Sequence, residues 1–93
     1  GMTDDGLDAQ IQQVEVGPAS WFVDRTTGEI DVTGRTGALL LALRHQGDAS
    51  FQANPTADTV VTPNSVLIAF GTRSQTAALT ALATLTQGPV RGT

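Results

Sequence analysis

The sequence predicts a small α+β domain of two layers, ordered as strand, broken helix, three strands and C-terminal helix. Three observations carry this reading. "ALLLAL" at 38–43 and "SVLIAF" at 65–70 are short apolar runs bounded by turn residues, the mark of strands rather than helices. From Thr72 onward, apolar residues recur at three- and four-residue steps, the period of a helix with one buried face. With 93 residues the chain has room for one core, which buries only about 60% of the unfolded surface.

Taken in order, residues 1–10 are polar and acidic and are expected to form a flexible N-terminal segment. Gly1, ahead of Met2, is expected to be a remnant of tag removal. "IQQVEV" then supplies Ile11, Val14 and Val16 in imperfect alternation, a strand stopped by Gly17-Pro18. Between 19 and 34, Ser20 precedes the cluster Trp21, Phe22 and Val23, and Ile30 and Val32 follow Gly28. Paired threonines and the glycine weaken helix formation, so a short or broken helix is expected. In "VTGRTG", Gly34 and Gly37 bracket Arg35 and suit a positive-φ turn.

Helix propensity alone would make 38–43 helical, since Leu and Ala are strong formers. Length and flanking turns favour a central strand buried on both faces. "ASFQA" at 49–53 is expected to pair back across a turn at Gln46-Gly47-Asp48, and Pro55 and Pro63 punctuate the stretch before the strand 65–70. Thr72 and Gln75 form a T-x-x-Q capping box opening a helix to about Gln87, with Ala78, Leu79, Leu82 and Leu85 as its buried face and Gly88-Pro89 as its stop. The folded domain is therefore expected over 11–88, with a tail at 89–93.

Charge and composition narrow the function. The net charge is −4, with five arginines spread singly and no lysine, which argues against nucleic acid and against anionic membrane surfaces. No apolar run approaches the roughly 18 residues of a membrane span, so direct insertion is not expected. The absence of cysteine removes disulfides and thiolate chemistry and permits a cytoplasmic setting. A lone histidine, His45, leaves a metal short of ligands within one chain, and nothing positions a Ser-His-Asp set. An enzyme is not expected. The T-x-x-Q pattern occupies the amides that "FGTRSQT" would otherwise offer an anion. With four aromatic residues, Trp21, Phe22, Phe51 and Phe70, the core is thin, and pairing with a second copy would stabilise it.

Three blocks together resemble the TrkA-C domain, the C-terminal half of the RCK domains that regulate potassium channels and transporters. They are "S-x-F-V-x-x-T-x-G-E-I-D-V", "R-T-G-A-L-L-L-A-L-R-x-x-G-D" and "N-P-x-x-D-T-V-V-x-P-N-S-V-L-I-A-F-G-T", and the likeness runs from Val14 to Leu85. The chain departs from the family's pattern at three positions: Asp24 stands where glycine is common, and Asn64-Ser65 replaces the usual Gly-Asp pair.

The resemblance implies a regulatory homodimer that holds a ligand at its two-fold interface. Some relatives bind cyclic di-AMP there, and their contact positions fall on Asp31, Val32, Thr33, Gly34, Leu39 and Pro55. The family's binding arginine would stand at Thr33 and a small polar residue at Leu39. Arg35 lies two residues along, about 7 Å away in an extended chain. The expected ligand is thus a small anion or nucleotide near Arg35 rather than cyclic di-AMP, and no cofactor is required. Expected partners are a second copy and a membrane cation channel or transporter subunit, or an RCK N-terminal half. The inner face of the membrane would be reached only through such a partner. A purely structural oligomerisation module without a ligand is the alternative.

Overall fold

The computed structural model describes residues 8–89. Residues 1–7 of the segment expected to be flexible at 1–10 and residues 90–93 of the tail expected at 89–93 lie outside the described residues, while Gln10 belongs to the first strand rather than to that segment. Seven elements follow in order: β1 (Gln10–Glu15), α1 (Thr27–Ile30), α2 (Val32–Thr36), β2 (Leu39–Arg44), β3 (Gln52–Ala53), β4 (Val66–Gly71) and α3 (Arg73–Thr84). The strands form one antiparallel sheet in the order β1-β4-β2-β3.

Strand alternation sorts the side chains onto two faces. Val14 opposes Leu67 on β4, which in turn opposes Leu43 on β2, and all three are buried. They lie beneath α3, whose Leu79 and Ala83 belong to the same core together with Phe22, Ile30, Val32 and Val61. On the other face Ile11, Phe70 and Leu39 form a row across three strands, and all three are exposed. Alternation is interrupted once, at a bulge between Leu40 and Ala42. Leu41 drops out of the ladder there, although its carbonyl still accepts the Asn54 amide at 2.8 Å.

Several expectations need correction. The run 38–43 has neighbours on both sides, but β3 supplies only two residues of cover. Only Leu43 within β2 is buried, and Leu39 is 48% exposed, so the strand is not buried on both faces. The most enclosed strand is β4, which is paired along its whole length. The broken helix starts at Thr27, not near Ser20, because residues 18–24 are taken up in tight turns closed by bonds such as Val23 N–H to the Ser20 carbonyl, 3.1 Å. Helix α3 stops at Thr84, three residues short of Gln87, and its buried face is Thr76, Leu79 and Ala83, with Ala78 and Leu85 exposed. Trp21 secures the helix end. Its indole N–H donates to the Leu82 carbonyl at 2.9 Å and its amide to the Leu85 carbonyl at 2.9 Å, so helix-end acceptors are satisfied from outside.

Asp24 and Asn64, two of the departures from the family's pattern, both take a backbone that suits glycine. Asp24 has φ 70° and Asn64 φ 63°, in the left-handed region where glycine is easiest and where Asn and Asp are the best tolerated substitutes.

Candidate functional site

Thr26 opens α1 with a capping box. Its hydroxyl accepts the Glu29 amide at 3.1 Å, and the Glu29 carboxylate accepts the Thr26 amide at 2.9 Å. That T-x-x-E signal stands in the sequence at 26–29 and was open to the same reasoning that found Thr72 and Gln75. The Thr26 amide, followed by the Thr26 hydroxyl, holds the Glu29 carboxyl below the ordinary glutamate range, and Arg25 adds a weaker attraction against slight burial. Asp31, at φ 54°, then breaks the chain between α1 and α2, and its carboxylate caps α2 through the Gly34 amide at 3.2 Å. A Cβ on Gly34 would overlap that carboxylate. Gly34 therefore leaves room for the Asp31 cap, which a Cβ would push aside, whereas Gly37, at φ 82°, serves by its conformation as it closes α2.

Together these turns build a cleft of about 430 Å³ between α1, α2, β2 and the segment after β3. Asp31, Val32, Thr33, Leu39 and Pro55 line it, so five of the expected ligand positions are brought together. Leu40, Leu41 and Asn54 also line it. Leu41 reaches the cleft because of the bulge, a feature with no sequence signal beyond the leucine run. The Thr33 hydroxyl donates to the Ala38 carbonyl at 2.9 Å and so ties α2 to the entry of β2.

Arg35 is not part of this cleft. Residues 32–36 are helical rather than extended, and two steps along a helix turn a side chain by about 200°. Arg35 accordingly points the other way, with its Nε donating to the Ile30 carbonyl at 2.8 Å and its guanidinium 5.6 Å from the Trp21 ring centre. The Gly34 amide, offered to an anion in the extended reading, is already bonded to Asp31. Among the described residues no cation lines the cleft, and the one charged lining residue is acidic. A small anion finds no partner in it. Backbone carbonyls, the Asn54 amide and leucine side chains suit an uncharged or aromatic group better.

The other candidates resolve as structural features. Thr72 and Gln75 form the expected capping box, with amides bonded at 3.0 and 3.2 Å. The His45 Nε2–H donates to the Val60 carbonyl at 2.9 Å, and its Nδ1 stands 3.7 Å from the Asp48 carboxylate. Trp21 and Phe22 pack edge to face in the core, 5.2 Å between ring centres, and are not surface residues. Among the described residues no group of His, Asp and Glu could hold a metal ion, and no helix is long and apolar enough to cross a membrane.

Comparison with known proteins places this geometry. The TrkA-C domain matches residues 11–84. The GsuK channel is 31% identical and superposes with a TM-score of 0.71, over 97% of this chain and 15% of the channel chain. The RCK_C domain dimer of S. agalactiae BusR in complex with c-di-AMP is 22% identical with a TM-score of 0.71, over 78% of this chain and 93% of that one. BusR in complex with its busAB-promoter DNA is 20% identical with a TM-score of 0.71, over 89% of this chain and 39% of that one. Comparison with curated proteins gives no match.

BusR corrects the expectation that nucleic acid is excluded. A protein carrying this fold has been solved on promoter DNA, and the fold accounts for 39% of its chain. Charge counted over one small domain governs only that domain's own surface. It cannot exclude a partner of a longer protein.

Proposed function

The chain belongs to the TrkA-C family, and on that premise we propose that it is the dimerising, ligand-sensing regulatory domain of a potassium or other cation transport protein. The 31% identity to the GsuK channel, extending over 97% of this chain, supports an attachment of that kind on the cytoplasmic side. The observation that carries the reading is Leu39. It belongs both to the exposed apolar row with Ile11 and Phe70 and to the lining of the cleft. Two copies pairing through that row would bury an apolar surface that is costly in water and would bring both clefts to the margin of the two-fold axis. A ligand filling the cleft would then favour one arrangement of the pair over another, and that preference is what a transport partner would sense.

The cleft chemistry sets the ligand class. With no cation and with Asp31, Asn54 and leucines along its wall, it suits the base of a nucleotide better than its phosphates. Cyclic di-AMP is expected to give no response, since Thr33 stands where the resemblance calls for arginine.

Two measurements test this. Light scattering after size exclusion should give a dimer at micromolar concentration, and a clean 9.6 kDa monomer would count against the reading. A thermal scan against nucleosides, nucleotides and cyclic dinucleotides should show at least one stabiliser. Ligand at a hundred times its dissociation constant adds about 2.7 kcal/mol, and each kcal/mol moves the midpoint of a domain this size by about 4–8 °C. The shift should shrink in Asn54→Ala. A dimer that answers to nothing in the panel is the purely structural module instead.

A further inference from the structure

On the far side of α2 from the cleft lies a second concavity, of about 350 Å³, lined by Trp21, Arg25, Glu29, Arg35, Gly88 and Pro89. It gathers two of the four arginines among the described residues, in a chain whose net charge is −4. Neither has an acidic partner within 4.0 Å among the described residues, where the one such ion pair joins His45 and Asp48, and Glu29 attracts Arg25 only weakly from farther off. Ordinary surface electrostatics would scatter two such cations or pair each with a carboxylate. Here they converge on one ring, with guanidinium carbons 5.5 and 5.6 Å from the Trp21 ring centre.

Each arginine is also anchored by one bond that aims the remainder of its fork. The Arg25 Nη1 donates to the Trp21 carbonyl at 3.0 Å and the Arg35 Nε to the Ile30 carbonyl at 2.8 Å. Among the described residues, the Arg25 Nε and Nη2 and both terminal nitrogens of Arg35 meet no protein acceptor. Glu29 also lines the concavity, but its carboxylate is turned to the Thr26 amide and hydroxyl, at 2.9 and 3.2 Å. Two planar forks with free donors, held in place beforehand, match the geometry of a phosphate group. Trp21 is 6% exposed, so it serves as the floor under the guanidiniums rather than as a surface on which a base could stack.

We propose that Arg25 and Arg35, held over Trp21, form an anion site for a small phosphate-bearing ligand. The site is separate from the cleft and stands whether or not the cleft reading survives. Two residues of one short helix divide the tasks, with Thr33 turned to the cleft and Arg35 to the anion.

Trp21 is the only tryptophan in the chain, so its fluorescence reports on the site directly. The probe is inorganic phosphate, titrated at constant ionic strength against sodium chloride, with calorimetry as a second readout independent of the indole. We expect saturable binding by wild type that weakens at least tenfold in Arg25→Gln and in Arg35→Gln. Arg25 is exposed, so its variant should keep the native circular dichroism and remains informative if Arg35→Gln loses stability. Glu29→Gln should tighten binding, because it removes the one opposing charge while glutamine still closes the capping box. Chloride reproducing the whole response, or unchanged phosphate affinity in a folded Arg25→Gln, would overturn the proposal. Stronger binding of a nucleoside monophosphate than of inorganic phosphate would assign the site to a nucleotide, and equal binding would assign it to the free ion.

Discussion

The two faces of the sheet are built from the same kinds of residue and meet different environments. Val14, Leu67 and Leu43 on one face are at most 3% exposed, whereas Ile11, Phe70 and Leu39 on the other are 65, 37 and 48% exposed. Hydrophobicity does not separate the rows. What separates them is α3, which lies across one face and leaves the other without cover among the described residues. The covered face accounts for the fold, and the open face is the surface from which dimerisation is argued. Apolar character in a strand therefore reports that a face will be buried, but not whether the same chain does the burying.

The largest test of this contrast is a charge on the covered face. Leu67→Asp places an unpaired carboxylate where exposure is 1%, which costs several kcal/mol against a total stability of roughly 5–15. Loss of the far-UV circular dichroism spectrum at 25 °C is expected. Leu41 would be a poorer choice, since it is only half-buried at the bulge.

The same charge on the open face should act on assembly instead. Phe70→Asp is expected to keep its spectrum and run as a 9.6 kDa monomer in light scattering. A variant that remains dimeric would move the interface away from the Ile11–Phe70–Leu39 row. One that unfolds would erase the distinction between the faces.

A smaller effect belongs to the helix that creates the contrast. Thr72→Ala removes the cap of α3 and should cost about 1 kcal/mol, lowering the melting midpoint by about 4–8 °C with no change in oligomeric state. An equal loss in the dimer and in the Phe70→Asp monomer would show that α3 stabilises the covered face alone.

The smallest effect is pH-dependent. Because the folded state holds Glu29 below its ordinary range, the native chain binds that proton less readily than the unfolded chain. The cap therefore contributes stability above the unfolded-state value, and the contribution fades as pH falls from the ordinary carboxylate range through the lower folded value. Melting scans from pH 6 down to pH 3 should show a gentler acid slope in Glu29→Gln than in wild type. Identical slopes would mean the capping box contributes no proton linkage.

Much of the architecture was legible from local order. The strands at 11–16 and 66–70, the interrupted helix before Gly37, the turn at 46–48 and the Thr72–Gln75 cap each depend on residues within a few positions of one another. The Thr26–Glu29 cap was equally readable and went unread. Asp24 and Asn64, departures at the level of sequence, are conservative at the level of backbone because both tolerate positive φ.

The candidate site was legible only in part. Resemblance brought Asp31, Val32, Thr33, Leu39 and Pro55 to one cleft, but Arg35 was assigned to it on the assumption of an extended chain. A five-residue helix with a glycine at its centre has no clear periodicity, so its direction could not be read from sequence.

Sequence by itself determined what is encoded by near neighbours: caps, turns, strand runs and an interrupted helix. Tertiary structure alone decided which side of each element is buried. It kept Leu79 on the inner face of α3 but put Thr76 and Ala83 there in place of Ala78 and Leu85, turned Arg35 toward Trp21, and put Leu41 in the cleft through a bulge. The physical reason is range. The hydrogen bonds that cap and turn the backbone close over three or four residues, whereas burial depends on meetings such as that of the Trp21 indole with the Leu82 carbonyl, 61 positions apart, which form only after the chain has folded.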